Sequence, residues 1–383
     1  MIPSGNPSLL SEIIAAIKSD RKITFAEFME MALYHPSYGY YSTLDDRPGD
    51  RTDYITSPEV HSVFGRLLAR QVAEVFKLLP SKEKFWLLEI GAGQGLLCKD
   101  ILSGLREINL EIYNALSYGI IERSQSRLKT QQEIVLKEEG DAGKVLWFNS
   151  LEDGLLKGGI NGCIVTNEFF DALPVHRVKK EKELKEIYVR YDKGFCEVLC
   201  SPSSSTLERY FEDVGVELRE GMEAEVNLLA LNWMKQMAKT LNAGVVITID
   251  YGYPAKELYS ERHSTGTLMC YYKHQIENNP YVRLGLQDIT SHVDFTSLAR
   301  VGETCGLSVT GFTKQSSFLL GLGADEDLQS LGEFSIEDKM AIKSLFMPGG
   351  FGDTFKVLIQ HKGLDKPLLK GLSFKNMIDR LNA

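Results

Sequence analysis

The sequence predicts an α/β protein with a seven-stranded, mostly parallel sheet and helices on both faces. Two observations support this prediction. Short apolar segments alternate with segments of helical periodicity over most of the chain. A glycine-rich turn, Gly91-Ala-Gly-Gln-Gly95, joins the first of the apolar segments to a helical one. Because strands buried on both faces are continuously apolar, this alternation favours parallel strands joined by crossover helices.

The chain is expected to begin with an N-terminal helical arm, residues 1–53. Ser8 and Thr24 are predicted to cap helices at 8–18 and 24–34, and Glu27 can complete a capping box with Thr24. An aromatic stretch with four tyrosines, 34–41, follows the second helix. These rings could line a pocket or simply attach the arm to the core.

A core is predicted over residues 54–362. It opens with a long helix that ends near Pro80, with Ser57 as its N-cap and Pro58 at its first position. Further helices are expected at 96–108, 124–138, 223–241 and 294–304. The strands are expected at 86–90, 116–122, 145–148, 163–167, 245–249, 307–311 and 354–360.

Two insertions interrupt this alternation. Residues 181–220 begin with a β-hairpin signal, in which two apolar runs flank Asp192-Lys-Gly194. Residues 252–293 are polar, aromatic and loop-rich. Both are expected to build the substrate side and to bind a protein partner. A C-terminal tail, 363–383, is expected to close with a helix at 373–381.

Composition excludes several classes of protein. The formal charge of −9 argues against broad binding of nucleic acid or anionic membranes. No run approaches the roughly 18 apolar residues that a membrane span needs. The N-terminus lacks the pattern of a secretory or transit sequence. The six cysteines form no C-x-x-C pair, which favours reduced thiols, a cytoplasmic location and no metal site.

The glycine turn indicates a nucleotide-like cofactor. Its glycines, Gly91, Gly93 and Gly95, allow a tight turn and a close approach of ligand to the backbone, and the following helix N-terminus favours an anionic or polar group. The G-x-x-G spacing of the dinucleotide fingerprint would need glycine where Leu96 stands. A turn that binds nothing is the alternative.

Glu122 ends the second predicted strand, beside the first. A carboxylate at that edge can accept hydrogen bonds from both ribose hydroxyls of a nucleoside. NAD would use the same acid, so Glu122 indicates a nucleoside without selecting one. The alternative is a solvated glutamate paired with Arg123.

Acidic residues follow two further strands. Glu168 and Asp171 lie in Asn167-Glu-Phe-Phe-Asp-Ala-Leu-Pro-Val-His176, directly after the fourth strand, and Asp250 ends the fifth. Carboxylates beside aromatic rings at this edge suit a cationic group. Asp171 could instead cap a helix after an ordinary strand-to-loop exit, and Asp250 could cap a turn. His292, between Asp288 and Asp294, could be a general base or a structural hydrogen-bonding histidine.

Taken together, these stretches resemble the MidA-like methyltransferase family, which includes a mitochondrial arginine methyltransferase needed for respiratory complex I assembly. The similarity runs through Tyr34-His-Pro-Ser-Tyr-Gly-Tyr-Tyr, Tyr54-Ile-Thr-Ser-Pro-Glu, Leu88-Glu-Ile-Gly-Ala-Gly-Gln-Gly, the Asn167–His176 stretch and Asp288-Ile-Thr-Ser-His-Val-Asp-Phe. Three positions differ from the family pattern. Ala92 and Gln94 replace a proline and a basic residue, and Met269 replaces an arginine.

The resemblance implies a Rossmann-like class I methyltransferase fold, with its last strand antiparallel, and S-adenosyl-L-methionine as cofactor. It implies methyl transfer to an arginine of a protein substrate. Another amine acceptor or a non-catalytic assembly factor are the alternatives. The implied catalytic residues are Glu168, Asp171 and His292. The implied cofactor-binding residues are Glu89, Gly91, Gly93, Gly95, Glu122 and Asn167.

Overall fold

The computed structural model describes residues 5–43, 55–82, 84–137, 143–325, 335–346 and 350–382. The chain divides into two compact units. We call Ile55–Phe169, Trp233–Gly252 and Leu298–Ala383 the sheet unit. We call Met1–Tyr54, Phe170–Asn232 and Tyr253–Ser297 the arm unit.

The sheet unit is built on a seven-stranded path, as predicted. Its strands are β1 (Phe85–Ile90), β2 (Leu116–Ile121), β3 (Val145–Phe148), β4 (Ile160–Asn167), β5 (Leu241–Tyr253), β6 (Ser308–Lys314) and β7 (Phe355–Lys362). They lie in the order β6-β7-β5-β4-β1-β2-β3. Strand β7 is antiparallel to both neighbours and the other pairs are parallel, which confirms the expected Rossmann-like architecture. The carboxyl ends of β1, β2 and β4 therefore meet at one edge.

Helices cover the faces of this sheet. Two of them, Val63–Leu78 and Leu96–Ile108, bury one apolar face each in the main hydrophobic core. The others in or entering the sheet unit are Ser57–Val60, Leu110–Ala115, Gln125–Val135, Leu228–Thr240, Phe295–Thr304, Gln315–Gly321, Ile336–Ser344, Phe351–Thr354 and Asp379–Asn382.

The prediction of one long helix after Ser57 is wrong, because two separate helices lie there. Ser57–Val60 is a separate short helix, because His61 is extended and interrupts the turn before Val63–Leu78. Thr56, one residue before the predicted cap, is the N-cap. The Glu59 carboxylate accepts hydrogen bonds from the Thr56 N–H at 2.8 Å and hydroxyl at 2.9 Å, which fixes the start of the helix.

Two other helix predictions are corrected. The periodicity over 223–241 contains a strand, Glu223–Val226, which pairs with His176–Lys180 before the helix Leu228–Thr240 begins. The helix expected at 373–381 is a 3₁₀ turn at Lys370–Leu372 and one helical turn at Asp379–Asn382. Periodicity alone cannot separate a short strand from a helix that follows it.

The arm unit carries two antiparallel sheets. The larger has the order Ile23–Thr24, Leu184–Tyr191, His176–Lys180 and Glu223–Val226, and Phe195–Cys200 pairs with Leu184–Tyr191 as the predicted hairpin. The smaller joins Gln275–Glu277, Met269–Tyr272 and Asp288–Thr290. The hairpin is thus part of the central sheet of the arm unit and is not a separate appendage.

Three helices of the arm unit pack on an aromatic and aliphatic cluster that includes Phe25, Phe28 and Ile289. They are Pro7–Asp20, Phe25–Tyr34 and Tyr40–Thr43. The unit also contains the helices Ser205–Asp213 and Ala255–Leu258. The capping box of Thr24 with Glu27 is confirmed. Asn6, two residues before the predicted Ser8, caps the first helix, because Pro7 needs no N–H partner at the first position.

The domain boundaries stay a prediction from the sequence. The boundary between residues 53 and 54 lies outside the described residues. The described parts of the predicted arm, the 181–220 insertion and residues 253–293 all belong to the arm unit. Among the helices described here, none combines the length and apolar character that a membrane span requires.

Candidate active site

The glycine turn follows β1 at the carboxyl edge of the sheet. Gly91, Gly93 and Gly95 have φ values of +73°, +53° and +88°, a region that side chains disfavour. Gly95 is the N-cap of Leu96–Ile108. A Cβ at Gly91 would lie 2.7 Å from the Phe169 ring, whereas a Cβ at Gly93 would meet nothing within 4 Å. Gly93 therefore borders open space that a ligand can approach.

Glu122 lies directly after β2 and is held by two donors. Its Oε1 accepts a hydrogen bond from the Ser124 N–H at 2.8 Å, and its Oε2 accepts one from Gln131 Nε2 at 3.0 Å. Burial raises the pKa of Glu122 above its ordinary value, and these hydrogen bonds lower it in part. A carboxylate offers about four acceptor sites, so this one can accept further hydrogen bonds.

Gln131 connects Glu122 to the glycine turn, and nothing in the sequence identified it. Its Nε2 also donates to the Gly93 carbonyl at 2.9 Å, and its Oε1 accepts from Trp147 Nε1 at 3.1 Å. The side chain is fully buried. A buried amide with three partners is fixed in orientation, so Gln131 sets the separation between the acid and the turn.

Glu89 occupies a different environment from Glu122. It lies within β1, is 2% exposed, and accepts a hydrogen bond from the Tyr118 hydroxyl at 2.6 Å. Burial raises the pKa of Glu89 to about 7, and the Tyr118 hydrogen bond opposes this increase. Glu89 therefore lies inside the sheet, two residues before the turn.

The start of the short helix Ser57–Val60 also contacts the turn. Glu59, whose Oε2 binds Thr56, accepts a hydrogen bond on Oε1 from Gln94 Nε2 at 2.8 Å. The residue that departs from the family pattern at 94 thus joins the turn to this helix through a neutral amide. The sequence pattern alone indicates no site role for Glu59 or Gln94.

Glu168 follows β4 with a left-handed backbone, φ +50°. Its Oε1 accepts hydrogen bonds from the Ser57 N–H at 3.0 Å and from Asn167 Nδ2 at 3.1 Å. Its own N–H donates to the Ile249 carbonyl at 3.0 Å. Side chain and backbone are therefore both fixed at the edge where β4 ends.

Asp250 at the end of β5 supports the same segment. It is fully buried, and its Oδ2 accepts a hydrogen bond from the Phe169 N–H at 3.2 Å while its Oδ1 accepts one from the Tyr251 N–H at 2.9 Å. The Phe169 ring lies against Gly91 and packs edge-on against Trp233. Asp250 could line the site or cap a turn. These contacts favour a role in which its carboxylate holds the neighbouring backbone in place.

Asp171 and His292 belong to the arm unit. Asp171 is 3% exposed, and its carbonyl accepts a hydrogen bond from the Ser291 N–H at 3.0 Å, next to His292. The His292 N–H donates to Thr267 Oγ1, and the ring lies 5.4 Å from the Tyr253 ring. The structure thus brings the Asp171 and His292 segments together.

The edge of the sheet unit suits a nucleoside that carries an amino acid. Gly93 borders open space, and the Glu122 carboxylate can accept hydrogen bonds from hydroxyl groups. Asn167 Oδ1 is buried and accepts no hydrogen bond from the described residues. An ammonium group is the kind of donor that such an oxygen lacks. Within the described part of the chain, no group of three or more His, Cys, Asp and Glu residues could hold a metal ion.

Comparisons with known proteins agree with this geometry. Residues 67–313 match a family model described as "Putative S-adenosyl-L-methionine-dependent methyltransferase". The chain is 28% identical to "Protein arginine methyltransferase NDUFAF7, mitochondrial" of Homo sapiens, covering 94% of this chain and 86% of that protein. It is 27% identical to the Drosophila melanogaster homolog of that name, over 97% and 90% of the two chains.

A solved structure matches almost the whole chain. It is a "likely methyl transferase" from Burkholderia thailandensis bound to S-adenosyl-homocysteine, with a TM-score of 0.86 and 28% identity. The match covers 98% of this chain and 99% of that one. Since the family model covers most of the chain, the cofactor and reaction class expected from the resemblance are confirmed. This chain belongs to the MidA-like family of S-adenosyl-L-methionine-dependent methyltransferases.

Proposed function

We propose that this methyltransferase acts on an arginine side chain of a protein substrate and that Glu168 binds the guanidinium group. The observation that carries the proposal is the fixed Glu168 carboxylate at the carboxyl edge of the sheet. A carboxylate with a fixed direction can accept two N–H groups of a guanidinium in one plane. The curated relatives named as protein arginine methyltransferases support the same acceptor.

The roles of the residues follow from the chemistry. When bound, S-adenosyl-L-methionine supplies a methyl group on a cationic sulfonium, and transfer is an in-line displacement. The enzyme must align the acceptor nitrogen with that methyl group and exclude water. Arginine stays protonated in water. A carboxylate at the guanidinium stabilises its charge and can accept the one proton that the nitrogen gives up. Glu168 is therefore proposed to orient the acceptor, to favour the reaction electrostatically and to accept that proton.

The cofactor side of the proposal uses the other residues of this edge. Glu122 is proposed to accept hydrogen bonds from the ribose hydroxyls, and Asn167 Oδ1 to accept one from the ammonium group. Gly91, Gly93 and Gly95 are proposed to line the cofactor with backbone. Glu89, buried in β1, is proposed to act by fixing the start of the turn.

Two residues of the arm unit, Asp171 and His292, have proposed roles of their own. Asp171 is proposed to bind a cation of the substrate. His292 is the alternative proton acceptor, should Glu168 prove to orient the acceptor only. The protein partner is proposed to bind through the arm unit, which contains the 181–220 insertion and residues 253–293 of the second one.

The location of the protein also stays a proposal. The sequence favours the cytoplasm, whereas the curated relatives are named as mitochondrial proteins. Cell fractionation followed by immunoblotting of the native protein would decide between the two locations.

The test uses cofactor labelled in the methyl group. The purified protein is incubated with a lysate from cells that lack it, and mass spectrometry identifies the labelled residue. We expect label on an arginine nitrogen. Label on lysine, on a nucleobase or on a small amine would contradict the proposed acceptor, and no label at all would favour a non-catalytic assembly role.

Glu168→Gln tests the role of the carboxylate, since it keeps the size and removes the charge. We expect the transfer rate to fall about 10²-fold, the scale of losing one preorganised electrostatic partner. Affinity for S-adenosyl-homocysteine should change little. His292→Ala is the comparison. An intact His292→Ala protein that loses activity, beside a fully active Glu168→Gln protein, would transfer the proton-accepting role to the histidine.

A further inference from the structure

Two buried aspartates of the arm unit lie close to one tyrosine. Asp288 is fully buried and Asp171 is 3% exposed. Tyr271 pairs directly with Asp288 across the smaller sheet. Burial raises the pKa of the Tyr271 hydroxyl, and the negative charges of both aspartates raise it further. Both carboxylates therefore lie within electrostatic range of the same hydroxyl group.

The two aspartates are connected through backbone and tyrosine contacts. The Ser291 N–H donates to the Asp171 carbonyl, which ties the end of Asp288–Thr290 to residue 171. The Tyr41 hydroxyl donates to Asp288 Oδ1 at 2.9 Å, and the Tyr34 hydroxyl donates to the Ala172 carbonyl at 2.9 Å. The rings of Tyr34 and Tyr41 stack at 5.3 Å. These contacts form a closed loop around the acidic pair.

Thr290 supplies an independent indication of a ligand. It lies two residues after Asp288 on the same strand, so its side chain is on the same face, while Ile289 points to the hydrophobic cluster. Thr290 is 2% exposed, and its Oγ1 makes no hydrogen bond with any described residue. A buried hydroxyl without a partner is costly, and such a group indicates an absent donor or acceptor.

We propose that Asp171, Asp288 and Thr290 form a subsite, additional to Glu168, that binds the guanidinium of an arginine side chain of the substrate protein. The inference rests on the proposed function for the nature of the substrate. Two carboxylates and a hydroxyl together offer several hydrogen-bond acceptors, and a guanidinium carries five N–H donors in a rigid plane. The partly exposed rings of Tyr34, Tyr41 and Tyr271 are surfaces on which a planar cation can stack.

The choice of guanidinium over other cations follows from the ligand set. A compact ammonium has three donors and no plane to stack, so it would satisfy fewer of these groups. A metal ion would need a cluster of ligands that the described residues do not form here. Met269 pairs with Thr290 across the smaller sheet. The family pattern has an arginine where Met269 stands, so this face of the sheet lacks an arginine at that position.

The test measures binding without catalysis. The probes are N-acetyl-L-arginine methylamide, its neutral isostere N-acetyl-L-citrulline methylamide, and the lysine analogue, each titrated by ligand-observed NMR into the full chain. We expect the arginine probe to bind tightest. Asp288→Asn should weaken it by at least about tenfold, the scale of one charge-assisted hydrogen bond, and should leave citrulline binding unchanged.

Two further variants test the same subsite. Thr290→Val should weaken arginine binding by a few-fold, and it decides the matter if Asp288→Asn fails to fold. Asp294→Asn is the matched control, because Asp294 is also a buried aspartate of the arm unit that accepts a tyrosine hydroxyl, from Tyr210 at 2.8 Å. It should leave arginine binding unchanged.

The outcomes separate this subsite from the proposed reaction. Equal binding of the arginine and citrulline probes, tighter binding of the lysine probe, or unchanged arginine binding in both variants would overturn the subsite, even if an arginine were methylated. Loss of arginine binding in Asp288→Asn and Thr290→Val would support the subsite, even if methyl transfer went to another residue type.

Discussion

Glu89→Gln should remove a pH dependence from the stability of the sheet unit. Burial of Glu89 in β1 raises its pKa from the ordinary value of 4.5 to about 7. The substitution keeps the shape and leaves an amide oxygen that can accept the Tyr118 hydrogen bond. It removes only the group that titrates.

The sign and size follow from the two pKa values. The unfolded carboxyl releases its proton near pH 4.5 and the folded one near pH 7, so the folded protein binds the extra proton between these values. The stability that this proton provides is fully present below pH 4.5 and is lost as the pH rises through 7. Since one pKa unit corresponds to about 1.4 kcal/mol, the loss over this shift from 4.5 to about 7 amounts to about 3.5 kcal/mol.

The assay is urea unfolding at several pH values between 5 and 8. All three tryptophans, Trp86, Trp147 and Trp233, belong to the sheet unit, so their fluorescence reports on the unit that contains Glu89. Other raised carboxyls titrate in both proteins. The informative quantity is therefore the difference in unfolding free energy between the variant and the wild type, which should grow in favour of the variant as the pH rises.

Glu183→Gln is the control, because that side chain is 79% exposed. It should leave the pH profile of the wild type unchanged. A difference between Glu89→Gln and wild type that stays constant from pH 5 to 8 would refute the assignment of a raised pKa. Calorimetry of the same variant with S-adenosyl-homocysteine tests the proposed cofactor role, since a loss of affinity without a loss of stability would place Glu89 at the ligand.

Three further predictions concern the cofactor site and the arm. Glu122→Ala should weaken S-adenosyl-L-methionine binding by about 1.5–3 kcal/mol in calorimetry, the contribution of hydrogen bonds to a charged group, and tighter binding of NAD would contradict the nucleoside assignment. Gly93→Ala should abolish cofactor binding and cost only about 1–2 kcal/mol of stability by urea unfolding, whereas Gly91→Ala should cost more, because its Cβ would also collide with Phe169. Thr24→Ala should lower the melting temperature through the loss of about 1 kcal/mol of helix capping, and an unchanged value would show that the cap is dispensable.

The central strands β1, β4 and β5 could be predicted because burial on both faces gives each one an apolar run. The edge at which Gly91, Glu122 and Glu168 lie also follows, since parallel strands bring their carboxyl ends together. The helix boundaries were less accessible. Thr56 and Ser57 are both good capping residues, and the choice between them depends on Glu59, which binds Thr56 and Gln94 at once.

Residues that act through hydrogen bonds to distant parts of the chain could not be predicted. Gln131 lies in a helix without a strong apolar face, and only the fold brings it to Gly93 and Glu122. Thr290 is an unremarkable strand threonine until its register with Asp288 and its missing partner are known. Pattern arguments find residues that share a helix face or a strand end, and they miss contacts that tertiary packing creates.

The left-handed backbone conformation of Glu168 supports the choice of this residue as a functional one. A left-handed conformation in a residue with a long side chain costs of order 1–3 kcal/mol and persists only where the surroundings impose it. Three contacts impose it here: the Ile249 carbonyl accepts the Glu168 N–H, the Ser57 N–H binds its carboxylate, and Asp250 accepts the N–H of the next residue. Glycine would adopt this backbone without strain but would carry no carboxylate. Since fixing a carboxylate at this edge is what binding a guanidinium requires, the strain supports a functional assignment for Glu168 over a structural one.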